Sequence, residues 1–126
     1  MLRRLSEKYN VDFLFIKAVM LAESGGDPNA VGDHGHCIGL YQLHDMGYGY
    51  GLGDLRYDPE VNADVGVRGL AEAWHVGLYR GYSGEQLIRF AYDYTFNPGG
   101  GWAYQGDHVV AQYNWLLARL GELPLP

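Results

Sequence analysis

Residues 11–22 read VDFLFIKAVMLA, with Asp12 and Lys17 as the only charges. A helix over this stretch is apolar on nearly every side, which predicts burial all round rather than a place on the surface. Asn10 is placed to cap it, and Gly25-Gly26 to end it after Ser24. Residues 2–9, just before it, form a short amphipathic segment. Further along, Asp58 as cap and Pro59 at the first helical position open a helix with Val61, Val65, Leu70, Trp74 and Leu78 near one face. Gly66 and Gly69 in it would let a neighbouring helix approach closely. Gly81 ends that helix, and Ser83-Gly84-Glu85-Gln86 reads as a capping box for the next, which carries Leu87, Ile88, Phe90, Ala91 and Tyr92. After the breaker Asn97-Pro98-Gly99-Gly100-Gly101, Asp107 is placed to cap a last helix with Val109, Val110, Tyr113, Leu116, Leu117 and Leu120 inside, closed by Gly121 and Pro124.

The segment between the first buried helix and Asp58 has a different pattern. Asp27-Pro28-Asn29 and Gly32-Asp33-His34-Gly35 are turn chemistry, and residues 39–43 suit a strand or a short helix. In residues 47–53 glycine alternates with bulky residues, which reads as a glycine-rich irregular loop whose tyrosines can line a groove. With no repeat and no linker, the expectation is one mainly α domain over residues 1–126, with long glycine-rich loops and at most a minor β element.

Composition narrows the function. The net charge of −6 gives no basic patch with which to neutralise phosphates, so nucleic acid is not an expected partner. No apolar run reaches the roughly 18 residues of a membrane span. MLRRLSEKYN lacks an apolar signal region, so an exported form needs another route, or Met1 starts a domain cut from a longer protein. The single cysteine, Cys37, permits no internal disulfide and reads as a small apolar core residue. His34, His36, Cys37 and His44 match none of the usual zinc spacings, so no metal and no cofactor is expected. His75 and His108 read as surface or capping residues, and Gly99-Gly100-Gly101-Trp102 as a turn.

Glu23 stands out. It is the only carboxylate that the apolar helix itself places on its last turn, and burial disfavours a charged carboxylate. That environment prepares an acid able to donate a proton near neutral pH.

Glu23-Ser24, the run Gly39-Leu40-Tyr41-Gln42-Leu43 sixteen residues on, and the later Ala91-Tyr92 together resemble the lytic transglycosylases and goose-type lysozymes, over roughly residues 11–100. ESGGDPNAVGDHG followed by IGLYQLHD is also similar to lysozyme-like domains of phage tail and other virion-associated wall-degrading proteins. The resemblance implies a lysozyme-like fold, peptidoglycan glycan strands as partner, and action at the bacterial cell wall. It implies Glu23 as the general acid at the bond between N-acetylmuramic acid and N-acetylglucosamine. Ser24, Gly39, Leu40, Tyr41, Gln42 and Tyr92 are the implied substrate-side residues, with Ser24 supporting the loop.

Two reactions remain open at this stage. A transglycosylase needs no second carboxylate, because the same Glu turns base and an anhydro sugar forms; the sequence leans this way. An inverting hydrolase needs a second carboxylate about 6.5–9.5 Å from the first, for which Asp33 and Asp45 are candidates. A glycan-binding or structural module that keeps the fold without turnover is the competing class. Three features depart from the family pattern: Tyr41 replaces a methionine, Asp93 stands where Asn is usual with no glycine two residues on, and the charge of −6 gives no steering toward an anionic wall.

Overall fold

The computed structural model describes residues 1–96 and 106–122. Among these, α1 (Leu2–Tyr9) and α2 (Phe13–Ser24) come first, and α3 (Pro59–Tyr79), α4 (Gly84–Phe96) and α5 (Asp107–Glu122) follow the loops. Between the two groups lies a three-stranded antiparallel sheet of two-residue strands, β1 (Val31–Gly32), β2 (Cys37–Ile38) and β3 (Leu43–His44). Its register pairs Val31 with Ile38, and Cys37 with His44. This is the minor β element expected, and residues 39–42 form the turn that joins β2 to β3.

The apolar run becomes the buried axis. Phe15, Ile16, Ala18 and Val19 of α2 are wholly covered, and Phe15 stacks on Trp74 of α3 with ring centroids 4.8 Å apart. The cap of α2 is Asp12, whose carboxylate accepts the Phe15 N–H at 2.9 Å, and not Asn10. Asn10 instead closes α1 at φ 52°, a left-handed conformation that its short polar side chain tolerates.

On α3 the covered face is Asn62, Ala63, Gly66, Val67, Leu70 and Ala73, rotated from the predicted one, and Leu78 is about half exposed. Small residues hold this face because loop aromatics press on it. A Cβ at Gly66 would lie 2.6 Å from the Tyr41 ring, and one at Gly69 2.9 Å from the Tyr48 ring. Both glycines therefore admit tyrosines of the loop segment, where a neighbouring helix was expected; α4 meets α3 at Gly77 through Leu87 and Phe90.

Ser83 meets α4 through its carbonyl, which accepts the Leu87 N–H at 3.3 Å. α5 starts at Asp107 itself, so this residue sits in the first turn rather than at the cap, and its carboxylate takes Arg89 of α4. Val109, Val110 and Leu116 are buried, whereas Leu117 and Leu120 are about half exposed. The breaker at residues 97–101, Trp102 and Pro124 lie outside the described residues. Among the described residues, no helix is long and apolar enough to cross a membrane.

Candidate active site

Glu23 comes at the end of α2, one residue before Ser24 and two before Gly25, whose φ of 66° stops the helix. It opens onto a cleft of about 580 Å³ that Asp33, Gln42, Tyr48, Tyr92 and Phe96 also line. The Glu23 side chain is 18% exposed. The Tyr92 hydroxyl on α4 donates to Glu23 Oε1 at 2.6 Å. Burial first, and then this bond to Glu23, push the Tyr92 phenol well above its ordinary range, so it meets the carboxylate as an O–H donor.

A third side chain joins this pair. His108 Nε2 on α5 lies 3.2 Å from the Tyr92 hydroxyl oxygen and 3.7 Å from Glu23 Oε1. The His108 and Tyr92 rings meet edge to face at 5.0 Å. Reading His108 as a surface or capping residue missed this, because nothing within its own helix links it to residues 16 and 85 positions earlier.

Of the Gly39-Leu40-Tyr41-Gln42 run, only Gln42 reaches the cleft surface. Its Nε2 donates to the carbonyls of Ala30 and Gly39, each at 3.0 Å. Both amide hydrogens are thus engaged with the loop, and Oε1 is the atom left to accept from a ligand. The other three residues lie beneath the cleft lining. Tyr41 is fully buried and Leu40 is 3% exposed. The Tyr41 hydroxyl donates to the Ile16 carbonyl at 2.7 Å, and burial pushes its phenol up. Gly39 takes φ 87°, and a Cβ there would fall 2.2 Å from Asn62 Nδ2. Ser24 secures the turn after α2, donating to the Met20 carbonyl and accepting the Gly26 N–H, both at 3.1 Å.

Two buried polar residues that the sequence reading passed over hold this floor. Asn62, fully covered on α3, accepts the Tyr41 N–H at 2.8 Å and donates to the carbonyls of Ile38 and Arg56 at 2.9 Å each. Arg56, 6% exposed, donates through Nη1 to the carbonyls of His36 and Leu43 at 2.8 and 2.9 Å and through Nε to that of Gly53 at 2.8 Å. The signal for Asn62 was its polarity in an otherwise apolar and small-residue helix face, since a buried amide must find partners.

The two candidate second carboxylates part company. Asp33 lines the cleft at φ 48°, with its Oδ2 3.3 Å from His44 Nε2. Asp45 does not line it; its carboxylate lies 3.0 Å from His36 Nδ1, and its N–H donates to the His36 carbonyl at 3.0 Å. The hydrogen bond with Asp45 raises the His36 pKa, and the same bond lowers that of Asp45. The His36 and His44 rings stack with centroids 5.2 Å apart. Donor atoms of His36, His44 and Asp45 lie within 4.8 Å of one another, a spacing a divalent cation could bridge, but His44 Nδ1 already accepts the Met46 N–H at 3.0 Å. Cys37 is half-buried at the cleft, and burial pushes its thiol up, away from the reactive thiolate. Asp93 is 4% exposed on the covered side of α4 and is not part of the cleft.

Residues 1–105 match the family described as Transglycosylase SLT domain. The membrane-bound lytic murein transglycosylases C of Cronobacter sakazakii, Edwardsiella ictaluri and Salmonella arizonae are each 33% identical to the chain over 112 residues, covering 80% of it and 31% of the relative. The chain thus spans about a third of the length of these curated relatives. No solved structure matches it. With an apolar helix ending in a carboxylate, a small sheet beside it and a family match over residues 1–105, the chain belongs to the Transglycosylase SLT domain family.

Proposed function

We propose that this chain cleaves the β-1,4 bond between N-acetylmuramic acid and N-acetylglucosamine in peptidoglycan, as a lytic transglycosylase with Glu23 as acid and then base. The observation that carries the reading is the Glu23 carboxylate opening on a cleft of about 580 Å³ with Tyr92 donating to its Oε1 at 2.6 Å. In the first step Glu23 gives its proton to the bridging oxygen and the bond from muramic C1 to that oxygen breaks, leaving an oxocarbenium-like sugar. In the second, the muramic C6 hydroxyl attacks C1 while the Glu23 carboxylate takes the hydroxyl proton. The product is a 1,6-anhydro sugar, no water is consumed, and Glu23 returns to its acid form. The hydrogen bond from Tyr92 stabilises the carboxylate in the interval between the two steps. Gln42 Oε1 is the acceptor we assign to a sugar hydroxyl or acetamido N–H. The names of the three relatives, lytic murein transglycosylases, support the same chemistry.

A second reading has one observation in its favour: Asp33 shares the cleft with Glu23. If it activates water on the opposite face of the sugar, the enzyme is an inverting muramidase. Asp45, paired with His36 off the cleft, is the weaker candidate for that role.

We assign the chain as one lysozyme-like catalytic domain acting at the bacterial cell wall. The setting in a phage tail or virion rests on the phrase around Glu23 alone, whereas the three relatives are named membrane-bound.

The deciding experiment is mass spectrometry of purified peptidoglycan incubated with this chain and, in parallel, with Glu23→Gln. Anhydromuropeptides from the wild type only support the transglycosylase. Reducing-end muropeptides turn the assignment to the hydrolase and Asp33. Equal product from both proteins removes Glu23 from the chemistry, and none from either on several wall types leaves a binding module.

A further inference from the structure

We propose that His108 is a positioning residue for the reaction assigned to Glu23: it donates from Nε2 to the Tyr92 hydroxyl and so fixes which oxygen of Glu23 carries the acidic proton. The inference rests on the reading of Glu23 given above. Tyr92 has one hydroxyl hydrogen, and at 2.6 Å that hydrogen is directed to Glu23 Oε1. His108 Nε2, 3.2 Å from the same hydroxyl oxygen, must therefore be the donor in the second contact, for the oxygen has only lone pairs left to offer. The result is a one-way chain, from His108 Nε2–H to the Tyr92 hydroxyl and from Tyr92 O–H to Glu23 Oε1.

The direction matters to the acid form of Glu23. A hydroxyl is a free rotor and, without His108, can turn its hydrogen elsewhere or accept one from Glu23. With the imidazole N–H on one of its lone pairs, the Tyr92 hydroxyl is biased toward donating its hydrogen to the carboxyl. Oε1 is then occupied as an acceptor, and the acidic proton of Glu23 resides on Oε2. His108 acts through Tyr92 because its own distance to Glu23 Oε1, 3.7 Å, is beyond hydrogen-bond reach. The edge-to-face contact of the two rings holds the imidazole in that orientation. The contact brings α5 to a site otherwise built from α2, α4 and the loops around the sheet.

The test has an arm that needs no activity. Long-range nitrogen–proton NMR of the imidazoles, with His108 assigned by its loss in His108→Gln, reports which ring nitrogen is protonated. A proton on Nε2 is expected; a bare Nε2 with the proton on Nδ1 alone overturns the proposal. The kinetic arm measures muropeptide release by wild type, His108→Ala, His108→Gln, Tyr92→Phe and the double variant Tyr92→Phe/His108→Ala. His108→Ala should lower kcat by roughly three- to tenfold, the span of one hydrogen bond's net strength, with KM within about twofold. His108→Gln, whose amide N–H can take the place of Nε2–H, should recover at least about half of the wild-type kcat. In the Tyr92→Phe background, loss of His108 should cost nothing further, because the hydroxyl it orients is gone. Equal costs of His108→Ala in both backgrounds would mean that it acts on Glu23 directly, and would overturn the chain. Absence of product from the wild type would sink the assigned reaction, while the NMR arm would still decide the direction of the chain.

Discussion

At the level of single residues, two carboxylates on one cleft carry different predictions. Glu23 receives a hydrogen bond from a half-buried tyrosine, an arrangement suited to a group whose charge appears and disappears within the catalytic cycle. Asp33 sits on a turn beside His44 and is more than half exposed. If the reaction is transglycosylation, Asp33→Asn should keep at least about half of the wild-type rate of anhydromuropeptide release, since no base beyond Glu23 is required. An inverting hydrolase should instead lose about a hundredfold or more, the scale set by removal of a general base. Initial rates from the chromatographic muropeptide assay separate the two. Tyr92→Phe, which leaves the ring and removes only the hydroxyl, is expected to lower kcat by about tenfold, corresponding to about 1.4 kcal/mol of lost transition-state stabilisation.

At the level of elements, the cleft is an arrangement of short loops that α3 holds from beneath. Asn62 satisfies three backbone groups: the Tyr41 N–H and the carbonyls of Ile38 and Arg56. Asn62→Ala leaves them without that partner inside a fully covered site, and should destabilise the fold by about 2–4 kcal/mol, as seen by chemical denaturation. The His36–Asp45 pair adds a pH-dependent contribution at the exposed end of the hairpin. The folded pKa of His36 is raised from 6.5 and that of Asp45 is lowered from 3.8, each chiefly by their mutual hydrogen bond. Because a raised histidine stabilises at pH values below its unfolded pKa, this contribution fades as pH rises through the raised value. Because a depressed carboxylate stabilises at pH values above its unfolded pKa, its contribution fades as pH falls through the lowered value. The Tm difference between wild type and Asp45→Asn should therefore be largest between about pH 4 and 6.5 and shrink on both sides. A difference that grew steadily above pH 8 would contradict this origin.

At the level of the whole molecule, what the sequence revealed and what it hid divide along the range of the interactions. The apolar run ending in Glu23, the Asp58-Pro59 start of α3, and the Glu-Ser and Gly-Leu-x-Gln phrases are local signals, and they were sufficient for the helices and the family. The Tyr41–Asn62, His108–Tyr92 and Tyr41–Ile16 bonds join residues 16 to 25 positions apart, so no window of sequence displays them. The cap of α2 was misread by two positions because Asn10 and Asp12 are both good caps, and only the left-handed turn at Asn10 decides between them. One global property, however, was legible outright: a net charge of −6 with no basic patch. With peptidoglycan as the proposed substrate, its stem-peptide carboxylates make long-range electrostatics oppose the encounter, and the proposal requires binding through short-range contacts in the cleft. Added salt screens that repulsion over about 10 Å at 0.1 M ionic strength. Raising sodium chloride from about 20 to 200 mM should accordingly raise kcat/KM on purified peptidoglycan, or leave it level, with kcat little changed. A severalfold fall over that range would reveal attractive steering by a cationic surface, contrary to the charge this chain carries.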